Sequence, residues 1–210
     1  MYDRPAVLSL LGDIAGLTVL DADGGPDLYA DKLLRRDADV IGFDQSPAMI
    51  DLARERVGTD AELRVHDLAE PLDWLADDAV DVVVLALVLN YVNDRVSMLR
   101  ELARVLRPSG VVVVSTTHPL SDWQRLGGSY FDVEAVSESL SPRRDWPIRA
   151  CRRPLTQVCS EFGDAGLVIE TLLEPRPVQQ MADAHPDDFA RLERMPAFIA
   201  FRLRHRPSTW

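Results

Sequence analysis

Two almost unbroken apolar runs, Val80 to Leu87 and Val111 to Ser115, constrain this chain more than any other feature. A strand that is apolar on both faces has to be covered on both, as parallel strands are when helices lie above and below them. The surrounding periodicity supplies those helices. Val7, Leu8, Leu10, Leu11 and Ile14 form a helical face after Pro5, closed by Gly16, and Leu17 to Asp21 reads as a buried strand. A breaker-rich turn at 23–27 leads into the helical stretch DLYADKLLRR and then a strand at Asp39 to Phe43. Pro47 opens a helix through Arg56, and Glu62 to Val65 is a further strand. A helix from Arg95 to Leu106 is stopped by Pro108 and Gly110, ahead of the Val111 strand. Leu155 to Ala165 (helix), Leu167 to Leu173 (strand), Pro186 to Arg194 (helix) and Ala197 to Arg204 (strand) complete the pattern. This alternation predicts an α/β fold with a parallel sheet covered on both faces.

With 210 residues the chain has room for one such domain, spanning 1–210. Residues 118–153 break the rhythm with Gly127, Gly128, Trp123, Tyr130 and Phe131, and are expected to form a lid or substrate wall over the carboxyl edge of the sheet. The net charge of −11 argues against nucleic acid or an anionic membrane as the main partner. That acidity is front-loaded: residues 1–140 hold 12 Lys and Arg against 25 Asp and Glu, and residues 141–210 hold 11 against 9. Cys151 and Cys159 are the only cysteines and lack metal-ligand spacing, which suits a reduced, cytoplasmic setting and no structural zinc. The N-terminal stretch carries Asp3 and Asp13 and does not read as a secretory signal, and no apolar run reaches the roughly 20 residues a membrane helix needs. A monomer or homodimer is expected.

Chemistry concentrates in VLDADGGPD, residues 19–27, with Asp44 ending the next strand 19 residues after Gly25. A glycine-bearing turn, a helix and an acid at the following strand end hold a nucleoside cofactor, the acid accepting both ribose hydroxyls. The same residues have plainer uses: Asp44 as a helix-entry residue ahead of Ser46, Asp67 as a turn residue, Asp27 as an N-cap, Met49 as core. Asp21, Asp23, Asp27 and Asp44 together could also gather a hard cation, although their spacing matches no calcium loop.

The stretches VIGFDQSPAMIDLAR at 40–54, RVHDL at 64–68, DVVVLALVLNYVND at 81–94 and RVLRPSGVVVVSTTHP at 104–119 resemble the class I S-adenosylmethionine-dependent methyltransferases of small-molecule type. The resemblance covers residues 5–120 and continues more loosely to the C-terminus. It implies a doubly wound, Rossmann-like sheet of seven strands, mostly parallel with the last antiparallel, and S-adenosyl-L-methionine as methyl donor. It further implies that Asp44 binds the ribose and that Gln45 borders the adenine. Asp67 would accept from the adenine amino group, the Leu68 backbone N–H would reach a ring nitrogen, and Leu87 would lie along the cofactor. Asp21, Asp23, Gly25 and Met49 complete the cofactor set.

The first motif of that family reads acid, any, Gly, any, Gly, any, Gly, whereas Asp23 and Asp27 here replace two of the three glycines. A Cβ and a carboxylate at each would strain the turn and crowd the methionine part of the cofactor. Positive φ at either would cost about 1–2 kcal/mol. The extra acids would attract the cofactor's cations and repel its carboxylate. Related chains also carry a helix ahead of this first one, so either the pocket is more open or the chain begins late.

Methyl transfer needs acceptor and methyl held at near-attack distance more than it needs an acid/base pair. A hydroxyl acceptor would profit from a base, and His118 in STTHP is the candidate, with Asp122 and Tyr130 nearby. Arg143, Arg144, Arg149, Arg152 and Arg153 could receive a carboxylate or phosphate, or be a solvated charge run. Trp123, Tyr130, Phe131 and Trp146 could line an acceptor pocket or fill a lid. The expectation is therefore a methyltransferase acting on a small-molecule acceptor. The alternatives are a protein of the same fold with lost or repurposed activity and, more distantly, a dinucleotide-dependent oxidoreductase.

Overall fold

The computed structural model describes residues 2–25, 29–141 and 144–207. Seven strands form one sheet: β1 (Thr18–Ala22), β2 (Asp39–Asp44), β3 (Ala61–Val65), β4 (Val80–Ala86), β5 (Leu106–Thr117), β8 (Leu167–Leu173) and β9 (Phe198–His205), in the order β3-β2-β1-β4-β5-β9-β8. The first five are mutually parallel, and β9 runs antiparallel to both β5 and β8. A separate antiparallel hairpin joins β6 (Glu134–Ser141) to β7 (Arg144–Arg152).

The apolar runs do what their composition requires. Leu20, Val83, Leu85, Val112 and Val114 enter one core with Leu99, Leu102, Val158 and Phe162, which come from α4 (Arg95–Val105) and α6 (Leu155–Asp164). Their neighbours Val19, Val82, Val84, Val111 and Val113 enter the opposite core with α1 (Asp3–Leu11), α2 (Ala30–Leu34) and α3 (Pro47–Val57). Successive residues of one strand thus bury on opposite faces, the period of two that a doubly covered sheet imposes.

Several boundaries differ from the sequence reading. The first helix stops at Leu11, with Gly12 at φ +75° as its cap, and Gly16 instead donates to the Asp37 carbonyl at 2.7 Å. More consequentially, Pro108 and Gly110 do not separate helix from strand: β5 already pairs Leu106 with Val80 and resumes at Val82 with Val111. The intervening residues form a bulge, with Pro108 and Ser109 exposed, which removes the need for a proline N–H in the ladder. The irregular segment 118–153 contains α5 (Pro119–Leu126) and the hairpin. Between β8 and β9, α8 (Pro186–Leu192) starts where the sequence places a helix and ends two residues short of Arg194, and a further short helix, α7 (Gln180–Ala184), precedes it.

The bulge makes a testable demand. A Cβ on Gly110 would stand 2.7 Å from the Asp81 carbonyl oxygen and 2.6 Å from Leu106 Cδ1. Gly110→Ala is expected to lower the unfolding free energy by about 1–3 kcal/mol, the range for overpacking, in urea denaturation; unchanged stability would show that β4 and β5 are not held this closely.

Candidate functional site

The carboxyl ends of β1 to β4 converge on a cleft of about 390 Å³. Asp23 follows β1, Gln45 follows β2, Asp67 and Leu68 follow β3, and Val88, Tyr91 and Asp94 follow β4 along its wall. Asp23, Gln45, Asp67 and Leu68, separately named from the sequence, meet here. Tyr91, Asn93 and Ser97 were not named. Their signal is the polar stretch LNYVND directly behind an apolar strand, which folds as one 3₁₀ turn, Leu89–Tyr91, before Asp94 caps α4 by accepting from Ser97 N at 3.0 Å.

Asp44 is buried at the end of β2 and holds the site together. Its Oδ2 accepts from Gly25 N at 2.9 Å and its Oδ1 from Ser46 N at 2.7 Å. It is therefore the helix-entry residue, and it also pins the turn after β1. Each carboxylate oxygen retains a second lone pair for a ligand hydroxyl. Asp67 is in part the turn residue, with Oδ1 accepting from Ala69 N at 2.9 Å.

Asp23 sits at φ +58° and Gly25 at φ +63°, so the turn does carry left-handed backbone at one of the substituted positions. The strain belongs to the folded protein itself. Asp27 lies outside the described residues, as does Arg143, and so do the side chains of Arg144 and Trp146. Burial, with Asp44 and then Asp67 nearby, raises the Asp23 carboxyl to about 6, against the backbone hydrogen bond from Gln45. Asp21 is pushed up to about 7 by burial, against backbone hydrogen bonds from Tyr29 and Ala30 at the start of α2. Its Oδ2 is buried without a partner. No group of three or more acids, histidines or cysteines among the described residues is arranged to hold a metal.

Leu87, one residue past β4, adopts φ +59° and donates to the Ser115 carbonyl at 2.9 Å. A leucine in this region is an outlier of the kind that collects at ligand sites. Met49 is half-buried on α3 and is not part of the cleft wall.

His118 is buried, with both ring nitrogens engaged. Its Nδ1 accepts from Leu120 N at 3.0 Å, capping α5, which leaves the proton on Nε2, 2.9 Å from Glu174 Oε1. In this arrangement the ring can offer a lone pair to a substrate only by giving up one of these two contacts. The other candidates are also occupied. Tyr130 accepts from Leu155 N at 3.1 Å, and Asp122 accepts from Thr117 Oγ1 at 3.0 Å. Arg152 pairs with Glu134 at 2.5 Å, and Arg153 pairs with Glu161, so this part of the basic stretch is used internally. Phe131 is 77% exposed, and neither it nor Trp123 lines the cleft.

One buried cation was not foreseen. Arg95, at the first position of α4, pairs with Glu161 at 3.5 Å and donates to the Cys151 carbonyl at 2.7 Å and to Asn90 Oδ1 at 3.2 Å. It thereby ties the end of β7 to the turn that lines the cleft.

Residues 20–114 match the methyltransferase domain family. A tRNA 5-carboxymethoxyuridine methyltransferase of Escherichia coli O157:H7 is 33% identical over 175 residues, 78% of this chain and 64% of that protein. An uncharacterised methyltransferase of Mycolicibacterium vanbaalenii is 36% identical over 107 residues, 49% of this chain and 40% of that protein. The chain spans 40% to 45% of the length of the first curated relatives it matches. In fold, an S-adenosylmethionine-dependent methyltransferase from Mesorhizobium loti superposes with a TM-score of 0.76 at 23% identity, covering 98% of each chain. The match over residues 20–114, the strand order and the antiparallel last strand make the chain similar to the S-adenosylmethionine-dependent methyltransferases.

The raised carboxyls give a pH signature. A carboxyl whose folded value exceeds its ordinary 3.8 contributes stability that is full below that value and lost as pH rises through the folded one, here about 6 for Asp23. Asp23→Gly is expected to raise stability at pH 8 by about 1–2 kcal/mol from relief of left-handed strain, more at pH 8 than at pH 5. Urea titrations at the two pH values check this; a variant less stable than the parent at pH 8 would contradict it.

Proposed function

We propose that the protein transfers a methyl group from S-adenosylmethionine to a small-molecule acceptor, with the cofactor in the Asp23–Gln45–Asp67 cleft. The observation that carries this reading is the charge of that wall. Asp23, Asp67 and Asp94 line it, with no lysine or arginine among its described lining residues. Such a cleft suits a ligand bearing a sulfonium and an ammonium and opposes a pyrophosphate, which weighs against a dinucleotide. The unpartnered Asp21 Oδ2 behind the turn is a further acceptor awaiting a donor or a proton.

When bound, S-adenosylmethionine supplies an electrophilic methyl on sulfur. The residues of the chain hold and orient. Asp44 offers its remaining lone pairs to the ribose, Gln45 and Leu68 border the adenine with Asp67 at its amino group, and Leu87 lies alongside. Asp21, Asp23 and Gly25 shape the turn. Segment 118–153 stands over this edge as a wall, fixed by Arg95 and by Arg153, which donates to the Asn93 carbonyl at 3.2 Å. Positioning of this kind supplies most of what an in-line displacement needs. A small acceptor is favoured because a net charge of −11 opposes a phosphodiester chain, although one relative is named for a tRNA substrate.

Isothermal titration with S-adenosylhomocysteine is expected to show saturable binding, weakened at least about tenfold by Asp67→Ala, the loss of one charge-assisted hydrogen bond, with no heat from NAD. Absence of heat up to millimolar S-adenosylhomocysteine, or comparable NAD binding, would overturn the reading.

A further inference from the structure

A second cavity, of about 430 Å³, opens where β9 begins. Thr117 of β5 pairs with Phe198, so the start of β9 lies on the same carboxyl edge as the cleft. Tyr2, Met181, Leu192 and Phe198 form apolar walls, and His185, Asp188 and Arg191 provide the polar side. The walls are built and not merely adjacent. The Tyr2 hydroxyl accepts from Ala197 N at 3.3 Å, and its ring meets Phe198 edge-on, with centroids 5.2 Å apart. A short path leads from this wall to the cofactor side. Asp3, next to Tyr2, is buried with its Oδ2 3.5 Å from Ser115 Oγ, and the Ser115 carbonyl is the one that receives the Leu87 N–H.

We infer that this cavity receives the methyl acceptor and that the acceptor is a small, largely apolar carboxylate. The inference rests on the methyltransferase reading and names the substrate class for it. Charge separates the two recesses. The cleft presents three acids and, among its described lining, no lysine or arginine, whereas the second cavity sets the Arg191 guanidinium against one acid, Asp188, with the His185 ring in the same lining. Asp188 engages Arg191 through a single contact at 3.3 Å, which leaves other guanidinium donors for a planar carboxylate. An anion is therefore repelled from the cofactor cleft and accepted beside it. The elements that select it, α7 and α8, lie outside the 118–153 segment in which the sequence suggested an acceptor pocket.

The test is isothermal titration of the full chain, saturated with S-adenosylhomocysteine, with 2-naphthoate and with its neutral analogue 2-naphthamide. Naphthoate is expected to bind at least tenfold more tightly than the amide. Arg191→Gln should abolish that difference, and Met181→Trp, at a half-buried position that tolerates a larger side chain, should weaken naphthoate tenfold or more. Both variants should bind S-adenosylhomocysteine as the parent does. Equal affinity for the two probes in the parent, or naphthoate binding indifferent to Met181→Trp, would overturn the inference. Failure of S-adenosylhomocysteine to bind would overturn the methyltransferase reading and with it the acceptor role, while the naphthoate pattern would still report on the cavity itself.

Discussion

The Asp44 carboxylate is the constraint on which the site depends. By accepting from Gly25 N on one oxygen and Ser46 N on the other, it fastens the turn after β1 and the entry of α3 to the end of β2. The Phe43 carbonyl reinforces this by accepting from Asp23 N at 2.9 Å, and Gly42 lets the neighbouring Leu63 come within 2.9 Å of where a Cβ would stand. A turn held this tightly can keep Asp23 in the left-handed region and can crowd Asp21, Asp23 and Asp44 together. The cost appears as carboxyls raised by burial and mutual repulsion.

Asp23 and Leu87 share a location as well as a conformation. Both follow the carboxyl ends of adjacent strands at the middle of the sheet, where strand order reverses on either side of β1 and β4. That is where an open α/β sheet leaves a crevice. The strain is carried by strands buried on both faces, Val82 to Leu85 being at most 2% exposed. Arg95 extends the same rigidity outward by joining Asn90 to the hairpin through Cys151.

Much of the fold was legible because fully apolar strands leave little choice. β8 falls where periodicity puts it, and β1 and β4 differ by a residue at their ends. The beginning of β5 was not legible, since Pro108 and Gly110 carry no sign of the pairing between Leu106 and Val80 that overrides them. The hairpin escaped notice because EAVSESLS alternates too weakly to signal a buried face. At the site, the place of Asp44 at a strand end was legible from its spacing after the glycine turn and that of Asp67 only through the family resemblance, whereas the contacts of His118 were not legible. Its occupation depends on Glu174, 56 residues away, which no local pattern announces. Arg95 was hidden for a related reason: a charged residue opening a helix reads as exposed, and only the tertiary meeting of α4 with α6 and β7 buries it.

The central claim is that the turn fastened by Asp44 is one wall of a cofactor cleft. Amide chemical shifts followed during titration with S-adenosylhomocysteine test it directly. The account predicts that the largest changes fall on Asp23, Gly25, Ser46, Leu68 and Leu87, the amides at the carboxyl ends of β1 to β4. Perturbations confined to the hairpin or to the β8–β9 connection, with these amides unmoved, would contradict it.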